Sequence, residues 1–262
     1  MGDNLKLAKI LSATTAVLAF VSALGGVIFP EIYVGLFPDD FLPGALPQDV
    51  LTLLVSALLF MLALTVERDR IKRQVVIVGL LGSLFYLYGI FTIERVYNAF
   101  YLLYAAVFAL SFWSIVVSLA GFRSERFSGL RIGNGILRTS SVSSIVIAAV
   151  FTVLWVAALI PLMREHNRID YLYSIYILDL CLIMPAFVIA ALMSLRRLPF
   201  GILMTPAIMI LGFFVIFPLG LNELEMPSAG MEMSYGPMIV SFALAFYMLA
   251  LGGLQLQKIR LE

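Results

Sequence analysis

The sequence predicts an all-α, polytopic transmembrane helix bundle of about eight spans, with both termini in the cytoplasm. Three observations carry that expectation. Of the 262 residues, 62% are hydrophobic and 13% charged, whereas a soluble domain averages nearer half and a quarter. A water-soluble bundle would need polar outer faces, and most of this chain has none to offer. The apolar residues gather into eight runs, several close to the ~20 residues that cross about 30 Å of hydrocarbon. Finally, fourteen of the seventeen lysines and arginines fall in alternate connections, an alternation that an odd number of spans would spoil.

The runs lie at roughly 10–29, 50–66, 75–93, 98–121, 142–163, 171–194, 201–220 and 236–255. Lys6 and Lys9 precede the first and give it some likeness to a signal peptide. It is read as a retained span because the second half of the chain holds a counterpart. Gly2 is no myristoylation site, since Lys6 stands where Ser or Thr is wanted. The second run is short and is expected to begin earlier, near Pro47. Arg68, Arg70, Lys72 and Arg73 separate it from the third. Gly25, Gly26, Gly79, Gly82, Gly252 and Gly253 let helices approach closely. Arg123, Arg126, Arg131 and Arg138 follow the fourth run, Arg196 and Arg197 the sixth, and Lys258 and Arg260 the eighth. The other side holds Arg95, Arg164 and Arg168. By the positive-inside rule the side with fourteen cations is cytoplasmic, which predicts a multi-pass protein of the cell (plasma) membrane.

The acids lean the other way. Glu31, Asp39, Asp40, Asp49, Glu94, Glu165, Asp170, Glu223, Glu225 and Glu232 lie on or near the outer side. Such a mouth attracts cations; equally, acids accumulate wherever Lys and Arg are excluded.

The chain reads as duplicated. Pro30 ends the first span and Asp49 follows 19 residues later; Pro161 ends the fifth and Asp179 follows 18 later. Each Asp leads into an apolar run that ends in a basic cluster, at Arg68 and at Arg196. A 4+4 parallel internal repeat follows: residues 1–121 and 139–262 as four-helix units, with 122–138 as the cytoplasmic connection. Repeats of this kind, related by an axis along the membrane normal, occur in transporters.

Ionisable groups inside hydrocarbon are functional candidates. Asp179 lies about nine residues into its run, roughly 12 Å deep at ~1.5 Å per residue. Tyr176 precedes it by three residues on the same helix surface, and Pro185 weakens the helix just beyond it. In the first half, Asp49 heads the second span, and Asn98 opens the fourth, down which Tyr101 and Tyr104 step. All fall in the outer half of the membrane. They predict an outward-facing polar cavity lined by Asp49, Asn98, Tyr101, Tyr104, Tyr176 and Asp179. The competing readings are an interfacial belt for tyrosines at span ends, helix caps for Asp49 and Asn98, a structural anchor for Asp179, and a solvated loop for Glu94 and Arg95.

Single occurrences narrow the chemistry. One cysteine, Cys181, allows no intrachain disulfide, and one histidine, His166, allows no paired-histidine haem, zinc-protease or di-iron site. No lysine lies within the apolar runs to form a retinal Schiff base. No cofactor or metal is therefore expected, nor a nucleic-acid partner. The lipid bilayer is the expected partner, together with a cation or small solute; an oligomer is compatible. The reading is a small transporter or channel. The alternative is a non-catalytic subunit or sensor holding a lipid, pigment or partner protein. An intramembrane aspartate-dependent enzyme ranks behind both, because neither Asp has the Gly-x-Gly-Asp or Tyr-Asp context.

Overall fold

The computed structural model describes residues 2–67, 70–122, 129–169 and 171–261. Arg68, Arg123, Arg126 and Asp170, which enter the charge argument, and residues 123–128 of the 122–138 connection lie outside them. Among the described residues, eight helices are long and apolar enough to cross a membrane: α1 (Gly2–Ile28), α2 (Ala45–Thr65), α3 (Ile71–Ile93), α4 (Tyr101–Ala120), α5 (Asn134–Glu165), α6 (Tyr173–Leu195), α7 (Pro199–Glu225) and α8 (Tyr235–Lys258). α2 starts ahead of Pro47, as its short apolar run suggests. α5 departs most from its apolar run, starting at Asn134 and running through Pro161 to Glu165. Its polar first turns are helical because Leu137, Ser140, Ser141, Ser144, Ile147 and Ala148 form one buried face, and α5 packs chiefly on α6. Small side chains at such a seam bring two backbones close.

α3 and α7 form the middle of the bundle. Two thirds of each is buried, against about one residue in nine of α5. α1 packs on α2 and α4, and α3 on α4; α5 packs on α6, and α7 on both α6 and α8. α3 and α7 join the two sets, flanked by contacts of α2 with α7 and of α6 with α3. The α3–α7 crossing is close because Gly79 has no side chain: a Cβ there would stand 2.8 Å from the Ala207 carbonyl oxygen and 2.9 Å from Ile210. Around this seam, large apolar side chains such as Leu54, Leu102, Val153, Met163 and Val240 remain exposed. Patches on this scale are foreign to soluble monomers and fit the outer surface of a membrane-spanning bundle.

Eight alternating spans put both chain ends on one face, here termed the terminal face. Among the described residues, Ile71, Val75, Ile132, Leu137, Leu203 and Ile259 form one buried apolar cluster toward that face. Above it, β1 (Leu130–Arg131) pairs antiparallel with β2 (Arg260–Leu261), and the Lys72 ammonium donates to the Gln257 carbonyl at 3.0 Å. The opposite half of the bundle is less regular. There α6 departs from regular winding in a π-helical turn, Asp179–Ile183, in which the Met184 N–H reaches back five residues to the Asp179 carbonyl. Pro185 follows at once. It lacks an N–H and its ring crowds the carbonyl four residues earlier, so a widened turn there has a local cause.

Candidate functional site

Two polar clusters occupy the half of the bundle away from the terminal face, and their hydrogen-bond accounts differ.

The first cluster joins α1, α2, α4 and the turn after α1. Pro30 starts a short 3-10 turn, Pro30–Tyr33, that delivers Tyr33 into the interior, where it is 2% exposed. The Tyr33 hydroxyl donates to Asp49 Oδ2 at 2.9 Å. Tyr104 is an electrostatic neighbour of Tyr33, and Asn98 Nδ2 donates to the Tyr104 hydroxyl at 3.0 Å. Asn98 closes the series on the backbone. Its amide nitrogen reaches the Ile32 carbonyl at 3.3 Å, and its oxygen accepts the Phe100 N–H at 2.9 Å just ahead of α4. Burial and the neighbouring Asp49 carboxylate push the Tyr33 phenol well above its ordinary range, so it stays a donor. Gly26 makes room for the cluster: a Cβ there would lie 1.9 Å from Asp49 Oδ2. Phe91 packs edge-on to Tyr104, with ring centroids 5.1 Å apart.

The second cluster centres on Asp179, which is 4% exposed. The Trp155 indole N–H of α5 donates to its Oδ2 at 2.6 Å, and the Tyr86 hydroxyl of α3 is an electrostatic neighbour of the carboxylate. Oδ1 is buried with no partner. The carboxylate borders a cavity of about 300 Å³ between the two sets of helices. Gln48, Thr52 and Val55 of α2 and Ser83, Tyr86 and Leu87 of α3 form one wall; Phe151 and Trp155 of α5, Ile175 and Asp179 of α6, and Phe214, Ile216 and Pro218 of α7 form the other. Apart from Asp179, no charged side chain lines it among the described residues.

The six residues named from the sequence thus do not share one cavity. Asp179 lines it. Asp49, Asn98 and Tyr104 are brought together in the first cluster, with Asp49 buried five residues into α2 instead of capping it. Tyr101 packs edge-on to Tyr97 at 4.6 Å and donates to the Thr92 carbonyl. Tyr176 packs edge-on to Trp155 at 5.4 Å and lines an open groove with His166 and Cys181. Nor are Glu94 and Arg95 merely a solvated loop. Glu94 Oε1 accepts the Ser174 N–H at 2.8 Å at the head of α6, and the Arg95 guanidinium lies 5.7 Å over the Tyr173 ring. Sequence reasoning missed Tyr33 and Trp155. Tyr33 sits in what reads as a polar connection, and the only signal for it is Pro30 setting a tight turn. Trp155 is an unremarkable aromatic in an apolar run, and nothing local ties it to Asp179.

Comparisons with protein-family models, curated proteins and solved structures find no match.

Proposed function

We propose that the chain is a small transporter that accepts a solute in the cavity between its two helix sets, loaded from the face opposite the termini. The supporting observation is a cavity on the seam between the sets, walled by α2 and α3 on one side and α5, α6 and α7 on the other, with Asp179 in its wall. Binding at a repeat interface near the middle of the membrane, with one bundle rocking against the other, is a known transporter arrangement. The packing fits a parallel repeat of 1–121 and 139–262 about the connection 122–138. The α1–α2 contact corresponds to α5–α6, α3–α4 to α7–α8, and α2–α7 to α6–α3, with the α3–α7 crossing on the axis. The same reading places the termini in the cytoplasm and the protein in the plasma membrane, from the distribution of Lys and Arg. A cavity in the half of the bundle away from the terminal face supports loading from the outer side.

Flux in liposomes tests this. The reconstituted protein should carry at least one member of a panel of protons, monovalent cations, organic cations and small neutral solutes, saturably. Ile175→Phe, which fills the cavity one turn from Asp179, should lower that flux at least tenfold. No protein-dependent flux across the panel would sink the transport reading. The mainly apolar wall favours a second one, a subunit or sensor that holds an apolar ligand without moving it. Copurified ligand in the absence of flux would support that. For chemistry shared between two carboxyl groups the geometry offers nothing, because Asp49 and Asp179 have different partners.

A further inference from the structure

Resting on the reading that a solute occupies this cavity, the composition of its wall narrows what the solute is. The Asp179 carboxylate spends Oδ2 on the Trp155 indole N–H, while Oδ1 is sealed from water and unpartnered. An acceptor left bare in such a place is costly, more so when charged. The π-helical turn begins at Asp179 itself, and such turns concentrate at functional sites. Round this one acid the wall is aromatic and aliphatic, with Tyr86, Trp155 and Phe214 nearby and no Lys, Arg or His among its described residues.

Each alternative meets a specific obstacle. An anion would face an uncompensated carboxylate. A hard metal ion of the calcium type takes six to eight oxygen ligands, and no group of three or more His, Cys, Asp or Glu suited to a metal is present among the described residues. A purely apolar solute leaves the one acid of the wall without a counter-charge. A cation that carries its own apolar body meets every feature together: a charge-assisted donor for the carboxylate, aromatic faces for the cation, and apolar walls for the remainder. We propose that the cavity binds an organic ammonium ion of modest size, its charged nitrogen paired with the Asp179 carboxylate and its hydrocarbon among Ile175, Phe214 and Ile216.

Equilibrium binding to the full chain in nanodiscs tests this, with phenethylammonium as the probe and the neutral 2-phenylethanol and anionic phenylacetate as comparators. Trp155 fluorescence is the readout, in a Trp113→Phe background that removes the other tryptophan. The ammonium should quench saturably and bind at least tenfold more tightly than the alcohol, with no saturable binding of the carboxylate. Asp179→Asn keeps an acceptor for Trp155 and should abolish the preference for the ammonium over the alcohol. Should that variant fail to fold, Ile175→Phe fills the cavity with the carboxylate intact and should remove saturable binding. Equal binding of ammonium and alcohol, preference for the anion, or the absence of saturable ammonium binding overturns the proposal. Saturable binding of the alcohol with no charge preference leaves the cavity a solute site with a different ligand class. Saturable ammonium binding without flux keeps the ligand class and removes transport.

Discussion

Two buried aspartates that look alike in sequence have different surroundings, and what separates them is where their partners lie. Asp49 accepts from Tyr33, beside the pair formed by Asn98 and Tyr104, whereas Asp179 accepts from Trp155 at the wall of a cavity. The Asp49 cluster ties α2 and the head of α4 to the turn after α1. Tyr33→Phe removes the donor and leaves a carboxylate buried without it, so thermal stability in detergent should fall by about 1–3 kcal/mol, with ligand binding to the folded fraction unchanged. Gly26→Ala drives a methyl group into the Asp49 carboxylate. It should destabilise by a similar amount, about 1–3 kcal/mol for overpacking, read as a lowered melting temperature. Asp49, Asn98, Tyr104 and Asp179 could be picked out from the sequence because polar groups in hydrocarbon are expensive wherever they point. Their grouping could not be, since it depends on which helices touch. Tyr33 and Trp155 were hidden for a related reason: a tyrosine in a connection or a tryptophan in a span is ordinary until its partner is known.

At the scale of the element, the spans were legible because hydropathy over some twenty residues is a strong signal. Their ends were less so. α5 gains a turn or more at its start from serines that sit against a neighbour, a fact of packing that composition does not contain. α6 shows the reverse case. Pro185 stands in the sequence and announces a weakened helix, and the helix widens immediately before it. Pro185→Ala should let α6 close toward regular winding and rotate Asp179 out of its present register. Affinity for the phenethylammonium probe should then fall at least several-fold with helical circular dichroism unchanged; unaltered affinity would detach the π turn from the site. The head of the same helix is held by Glu94, whose carboxylate accepts the Ser174 N–H. Glu94→Ala leaves that donor unmet and should cost about 1–3 kcal/mol of thermal stability.

For the whole molecule, the number of spans was readable from charge alternation, which membrane insertion enforces. The central place of α3 and α7 was not, because their glycines announce a close approach without naming the partner. Sidedness is open to direct labelling. In a Cys181→Ala background, Arg168→Cys should react with a membrane-impermeant maleimide on intact cells, and Arg196→Cys only after permeabilisation; the opposite pattern would invert the assignment. The α3–α7 seam has its own test. Gly79→Val sets branched carbon against a backbone carbonyl that cannot move aside, and should lower thermal stability more than Gly253→Val, where a side chain meets nothing within 4 Å.

The little β1–β2 ladder on the terminal face carries a mechanical consequence. It fastens the stretch of chain leading into α5 to the stretch leaving α8, so the second quartet of helices is cinched like a purse at its drawstring. Force applied to the tail is borne first by two rungs of backbone pairing and by the Lys72 latch on Gln257, not by the helices. A chain severed ahead of Leu130 would still carry both rungs on its downstream fragment, with the Lys72 latch left on the upstream one.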